Sequence, residues 1–288
     1  MDKRLPSWFK QELPDDKALK MSSLLSEFCV NTVCREAKCP NQNYCFNNKK
    51  VTFMILGDSC TRNCRFCNVN KSTSAHLGVD NDEPGRISEA VRILGLNYVV
   101  ITSVTRDDLS DGGASIFAKT IELIRKVNKD TKIEALIPDF KGRISSLRLL
   151  LDAEPDVVAH NIETVRRISR DLRPLSDYQL SLGILKRIKE INIRLYTKSS
   201  LILGLGETEA EVIEAMRDLR ASFCDSLTLG QYLAPSIGHY PIKEFVNIEQ
   251  FQKYHDIGLS LGFKAVLSGP LVRSSYKAEE VYKELNYV

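Results

Sequence analysis

From residue 51 onward the chain alternates short, β-branched apolar runs with longer stretches whose apolar residues recur at helical spacing. VTFMIL (51–56), NYVVIT (97–102), TKIEALI (131–137), PDVVAH (155–160), YTKSSLIL (196–203) and DSLTLG (225–230) predict strands. ISEAVRILG, SIFAKTIELIRKV, RISSLRLLL, DYQLSLGILKRIKEI and TEAEVIEAMRDLR, which lie between or after them, predict helices. Strand–helix alternation gives parallel strands joined by right-handed crossovers. Six units predict an α/β fold of the open, partial (β/α)6 barrel kind, whose reactive loops lie at the carboxyl ends of its strands. Residues 1–50 then read as an N-terminal extension, 51–262 as the barrel and 263–288 as a C-terminal extension, with both extensions expected over the barrel mouth.

Composition adds a size and excludes some partners. The chain has 288 residues, 43% hydrophobic and 27% charged, which fits a soluble globular protein. No apolar run approaches the roughly 18 residues that span a bilayer, and the start MDKRLPSWFKQELPDDK lacks the apolar stretch of a secretory signal. Glu12, Asp15 and Asp16 argue against a transit peptide, so the expected location is cytoplasmic. Forty basic residues against 37 acidic ones, with no block of like charge, make nucleic acid an unexpected partner, as they do a membrane.

The cysteines carry the chemistry. Of the 8, six lie between positions 34 and 67, as Cys34, Cys39 and Cys45 in CREAKCPNQNYC and Cys60, Cys64 and Cys67 in CTRNCRFC. Clustered cytosolic cysteines first suggest structural zinc, but zinc wants four tetrahedral ligands, usually from two C-x2-C knuckles, and only Cys64 and Cys67 have that spacing. Three thiolates suit a cubane iron–sulfur cluster whose fourth iron stays open to another ligand. Cys29 and Cys224 stand apart and are expected to be free thiols packed as small hydrophobes. Arg62 and Arg65 flank the second triad and read as exposed charges. Gly112 and Gly113 read as a turn before a helix. His76, His160, His239 and His255 lack paired spacing with carboxylates, which leaves hydrolytic or zinc catalysis without support.

The C-x3-C-x2-C loop after the first strand resembles the signature of the radical S-adenosylmethionine enzymes. Within that superfamily the chain resembles the lipoyl synthase family from Val33 to Tyr276, through TVCREAKCPN, GDSCTRNCRFCNV, VITSVTRDDLSDGGA, LIPDFKG, PDVVAHNIETV, RPLSDYQLSLGILK, TKSSLILGLGET, LGQYLAPS, HYPIKEFV and SGPLVRSSYKA. The resemblance implies that Cys60, Cys64 and Cys67 hold a [4Fe-4S] cluster that binds and reductively cleaves S-adenosylmethionine. It implies that Cys34, Cys39 and Cys45 hold a second [4Fe-4S] cluster, with a serine of RSSY as fourth ligand and Ser275 preferred over Ser274. That cluster would be the sulfur source for positions C6 and C8 of an octanoyl chain on a carrier lysine, with two S-adenosylmethionine molecules consumed per lipoyl group. Implied partners are an octanoylated glycine-cleavage H protein or 2-oxoacid dehydrogenase lipoyl domain, an electron donor such as flavodoxin or ferredoxin, and an iron–sulfur carrier for cluster repair. Thr102, Ser103, Asn161, Glu163 and Lys198 are candidate S-adenosylmethionine contacts, because each ends, follows or lies in a barrel strand. SLILGLGE (200–207) resembles the superfamily's adenine-contacting G-x-I-x-G-x-x-E, with Ser200 in place of the first glycine.

Overall fold

Seven parallel strands follow one another across a single sheet in strict chain order: β1 (Thr52–Ile55), β2 (Tyr98–Ser103), β3 (Lys132–Leu136), β4 (Val157–Ala159), β5 (Tyr196–Leu203), β6 (Ser226–Gln231) and β7 (Ala265–Gly269). The computed structural model describes residues 5–10, 13–72 and 78–286; of the residues discussed above, Glu12 and His76 lie outside that range. Each strand pairs in parallel with its predecessor, the walk of a (β/α) barrel, and among the described residues β1 and β7 do not pair with each other. The six expected strands are all present. The seventh, AVLSG, falls in the segment read as an extension; its serine and glycine hide it from a search for apolar runs.

Alternation along the strands separates two faces. Val99 and Ile101 of β2 join the core formed with the helices α4 (Glu83–Leu94) and α5 (Ala114–Val127), while Tyr98 and Val100 meet Ala278 and Tyr282 of the C-terminal helix α11 (Ala278–Asn286). The helices α6 (Ile144–Leu151), α7 (Arg166–Leu172) and α8 (Tyr178–Ile191) continue the outer layer, followed by α9 (Glu209–Ala221) and α10 (Ile248–Ser260). Val281 and Leu285 of α11 pack on Ala265, with Tyr196 and Leu267 beside them. Tyr98, Tyr196 and Ala265 begin or nearly begin their strands, so α11 covers the amino ends of the sheet's inner face, opposite the mouth. The C-terminal extension thus does more than cover the mouth: it runs from the carboxyl end of β7 to the other end of the barrel. The reason is apolar burial, since α11 turns one face inward under two tyrosine rings at 5.7 and 6.2 Å.

The N-terminal extension lies along β1. Thr32 forms an antiparallel bridge with Phe53, and the Met54 N–H donates to the Asn31 carbonyl at 2.9 Å. The short helices α2 (Val33–Glu36) and α3 (Gln42–Asn47) follow, with Thr32 capping the first through its side chain. Among the described residues no helix is long and apolar enough to cross a membrane.

Candidate active site

The barrel-loop triad begins at a strained turn. Leu56 and Gly57, the two residues after β1, have φ of 69° and 83°, and the Glu83 carboxylate receives both of their N–H groups, at 2.6 and 3.3 Å. A non-glycine residue in the left-handed region persists only where its surroundings hold it; here a buried carboxylate does so. Gly113, at φ 90°, completes the arrangement: a Cβ there would stand 2.2 Å from the Leu56 side chain, so the glycine of SDGG makes room for the turn that launches the cysteine loop.

The loop is then tied to its neighbours. Thr61 donates from N and Oγ1 to the Thr105 carbonyl, both at 2.9 Å, and the Cys60 sulfur accepts from the N–H groups of Arg62 and Thr105. Arg62 is not an exposed charge. It is 6% exposed, and its guanidinium forks onto Asp107 at 2.8 and 3.1 Å and onto Asp139 at 2.6 and 2.6 Å, with Ser176 as a further acceptor. Burial pulls the arginine's pKa down, and the bonds to Asp139 and Asp107 more than reverse this. Bidentate charge-assisted bonds of this kind fix geometry as well as charge, so Arg62 pins the cysteine loop to the loops after β2 and β3. Arg65, by contrast, stays exposed, paired with Asp171 and stacked 5.1 Å from the Tyr240 ring centroid.

Cys60 lies close enough to raise the pKa of Cys64, and Cys60 and Cys64 together raise that of Cys67. Burial is the larger cause, and it lifts Cys67 to about 11. Glu163 acts on both Cys64 and Cys67 in the same direction, and Arg173 opposes it at Cys64. Thiols in such surroundings become thiolates only against a cation. The donor set therefore fits an iron–sulfur group.

The other predicted contacts spread along the inner face. Thr102 donates to the Leu136 carbonyl at 2.9 Å, and the Ser103 hydroxyl is buried without a partner. Asn161 and Glu163 follow β4 and bond each other at 3.1 Å. Lys198 sits deeper, 1% exposed, its ammonium 2.8 and 3.0 Å from the two oxygens of Glu134, which also accepts from the Tyr98 hydroxyl. Ser200 is buried in β5, opposite Thr228 of β6, and its carbonyl accepts from the Glu163 N–H. At the end of SLILGLGE, Glu207 accepts from the N–H groups of Gly204 and Leu205, at 2.6 and 2.8 Å, and so shapes the carboxyl end of β5.

The N-terminal triad forms a second centre. Cys34 and Cys45 line a cavity of about 190 Å³ together with Thr52, Tyr98, Val100 and Ser275. Cys39 is near enough to raise the pKa of both. Burial lifts Cys34 to about 12, and Cys39 is raised for the same reason, against the pull of the half-buried Arg273. Two thiols and one hydroxyl around one cavity, with Cys39 close by, are a donor set that fits a cluster with mixed ligands. Ser274 does not share it: its hydroxyl donates to Asn161 at 3.0 Å. The walls are joined across the chain, since Asn41 bonds the Leu271 carbonyl, Tyr44 stacks 5.7 Å from Tyr276, and Lys50 pairs with Glu280. The segments that carry the two triads also meet, because Asn68, next to Cys67, donates to the Glu36 carbonyl at 2.7 Å.

The two remaining cysteines differ. Cys224 is buried in the core, whereas Cys29 is exposed at φ 50° where α1 (Asp16–Glu27) ends, so it is not packed as a hydrophobe. His160 is 2% exposed, with Nδ1 2.8 Å from the Ile137 carbonyl and Nε2 without a partner. His239 and His255 bond surface neighbours.

Comparison with known proteins agrees with these features. The Radical SAM superfamily model matches residues 54–219. A lipoyl synthase of Caldanaerobacter subterraneus subsp. tengcongensis is 51% identical over 279 residues, covering 97% of this chain and 97% of the relative. One of Caldicellulosiruptor bescii is 51% identical over 275 residues, covering 95% of this chain and 94% of the relative. The backbone is similar in fold to the FeFe-hydrogenase maturase HydG from Carboxydothermus hydrogenoformans, with a TM-score of 0.59 at 16% identity over 81% of this chain and 56% of that one.

Proposed function

The chain belongs to the lipoyl synthase family of the radical S-adenosylmethionine superfamily, and from that premise we propose that its two cysteine triads hold two separate four-iron clusters. The reaction is the insertion of sulfur at C6 and C8 of an octanoyl chain carried on a protein lysine. When bound, the clusters and S-adenosylmethionine supply a 5′-deoxyadenosyl radical at one centre and sulfur at the other. Cys60, Cys64 and Cys67 hold the first, at the carboxyl ends of the strands. Cys34, Cys39, Cys45 and Ser275 hold the second.

The observation that carries this reading is the cavity shared by Cys34, Cys45 and Ser275, which joins residues from opposite ends of the chain. A serine oxygen is a harder, weaker partner for iron than thiolate is, which suits a cluster that must come apart. The chain's own residues supply the rest. Arg62 and Glu83 hold the barrel loop in place; Thr102, Ser103, Asn161 and Glu163 offer polar groups at the mouth for the methionyl and ribose parts of S-adenosylmethionine. Lys198, neutralised by Glu134, adds a polar wall further down the inner face. The thiols are buried or half-buried, which limits the access of water to radical chemistry.

The octanoylated carrier is a glycine-cleavage H protein or a dehydrogenase lipoyl domain. The electron comes from a flavodoxin or ferredoxin, an iron–sulfur carrier rebuilds the auxiliary cluster, and the work takes place in the cytoplasm.

Three variants test the assignment. Replacing Cys60, Cys64 and Cys67 by alanine should abolish both 5′-deoxyadenosine and lipoyl formation; replacing Cys34, Cys39 and Cys45 should spare the first and abolish the second. Ser275→Ala should leave substoichiometric auxiliary iron and little product. Wild-type protein should hold about eight irons per chain, as two four-iron clusters. Lipoyl formation at the normal rate without the N-terminal cysteines would sink the sulfur-donor reading.

A further inference from the structure

Neighbouring serines of RSSY serve different centres. Ser275 faces the cavity of the N-terminal triad, while the Ser274 hydroxyl donates to Oδ1 of Asn161 at 3.0 Å. Asn161 donates in turn from Nδ2 to Oε1 of Glu163 at 3.1 Å, and Glu163 lies near enough to Cys64 and Cys67 for its charge to raise both thiols. A line of hydrogen bonds thus runs from the residue beside the auxiliary-site serine to Glu163, whose charge is felt at the barrel-loop triad.

The backbone beneath this line is fixed. The Glu163 N–H donates to the Ser200 carbonyl at 3.0 Å and its carbonyl accepts from Ile202 at 2.8 Å, while the carbonyls of Asn161 and Ile162 accept from the buried Arg173. Glu163 itself stands at φ 65°, a conformation that a side chain other than glycine keeps only when its surroundings impose it. Only the side chains are left free to rearrange. An amide such as Asn161 has two donors and one two-lone-pair acceptor, so it can hold Ser274 and Glu163 at once and transmit a change at one to the other.

We propose that Ser274, Asn161 and Glu163 form a relay through which occupation of the S-adenosylmethionine site tightens the turn that carries Ser275. The proposal rests on the reading above, in which Asn161 and Glu163 face S-adenosylmethionine and Ser275 faces the auxiliary cluster. A ligand ammonium or ribose hydroxyl donating to Glu163 fixes its carboxylate, the carboxylate fixes the Asn161 amide, and the amide holds Ser274. Ser274 is a positioning residue: it keeps the weakly held serine ligand in place while a radical is about to form and lets the turn relax once the site empties.

The test uses the reconstituted two-cluster enzyme under anaerobic conditions and measures amide hydrogen exchange of residues 270–277 with and without S-adenosylmethionine, together with the Kd of S-adenosylmethionine. Added S-adenosylmethionine should slow exchange in this segment about fivefold or more, the lower end of typical coupling between sites. In Ser274→Ala the segment should exchange at one rate regardless of ligand, and S-adenosylmethionine should bind more weakly by a comparable factor; Ser274→Thr, which keeps the hydroxyl, should restore the response. An equal response in wild type and Ser274→Ala, or none in either, overturns the relay. Iron content and Asn161→Ala separate that failure from a wider one. If iron stays near eight per chain (two four-iron clusters) and Asn161→Ala weakens S-adenosylmethionine binding while exchange at 270–277 is unmoved, only the relay falls. If iron is near four, or Asn161→Ala binds normally, the site reading falls with it.

Discussion

The side-chain amide of Asn41 donates a 2.6 Å hydrogen bond to the carbonyl of Leu271, 230 positions later in the chain. Asn41 is 2% exposed and stands between Cys39 and Cys45. Asn41→Ala leaves that carbonyl unpaired at a cost of about 1–3 kcal/mol, and it frees the turn bearing Ser275 from the N-terminal triad. Iron per chain should fall toward the content of one cluster while S-adenosylmethionine cleavage persists. Asn41→Asp, which sets a carboxylate against the carbonyl, should lose at least as much. Denaturant midpoints and iron analysis of both variants check this.

Arg62 neutralises two aspartates inside the barrel mouth. Arg62→Ala strands Asp139, which is 1% exposed, and breaking a buried pair from one side costs about 3–5 kcal/mol. Burial raises the Asp139 pKa, yet its bonds to Arg62 more than reverse this and hold it below the usual carboxylate value. The stabilisation is therefore complete above the unfolded value of about 3.9 and is lost as pH falls through the lower folded value. In Arg62→Ala burial, the largest cause, is opposed only by the Lys141 N–H bond and by His160, and the sign should invert, so the variant's deficit should shrink between pH 7 and pH 5, where wild type is insensitive to this group. Urea midpoints of both proteins at the two pH values decide it.

His160 gives a second pH signature. Burial, with Arg173 adding to it, lowers its pKa to about 4, while the unfolded imidazole titrates near 6.5. Folding favours the neutral ring, so its contribution is whole above pH 6.5 and is lost as pH falls toward 4. A difference of that size corresponds to about 3 kcal/mol. His160→Asn, which keeps a donor toward the Ile137 carbonyl, should flatten stability against pH over this window; an unchanged slope would assign the titration elsewhere.

Gly230 lets the C-terminal turn sit against β6. A Cβ there would stand 1.9 Å from the Val272 carbonyl oxygen, which is backbone and has no flexible end to yield. Gly230→Ala should cost about 1–3 kcal/mol by overpacking and push residues 270–275 outward. 5′-Deoxyadenosine should still form while lipoyl product drops at least tenfold, a split visible in one chromatographic assay.

What the sequence made legible was whatever depended on local spacing. Strand–helix alternation and the two cysteine spacings are short-range patterns, and β1 to β6 and both triads follow from them. Arg62 was not legible, because its partners lie 45 and 77 positions away and nothing nearby marks it as buried. Lys198 lies in register with Ala159, the last residue of β4, yet its ammonium is taken up by Glu134, a partner 64 positions away that no local pattern marks. The course of the C-terminal extension was hidden for a related reason: the apolar face of α11 is plain in AEEVYKELN, but which end of the barrel it covers depends on the aromatic residues that open β2 and β5.

Residues 31 and 32 occupy the free edge of β1, where Asn31 accepts the Met54 N–H and Thr32 bridges Phe53. An uncovered strand edge offers unpaired backbone groups to any neighbouring chain. Here its guard is the segment immediately before Cys34, so the N-terminal cysteine triad and the barrier to edge-to-edge pairing share one short stretch of chain. Any change that lifts residues 31 and 32 off β1 would therefore bare that edge and disturb the neighbouring triad at once.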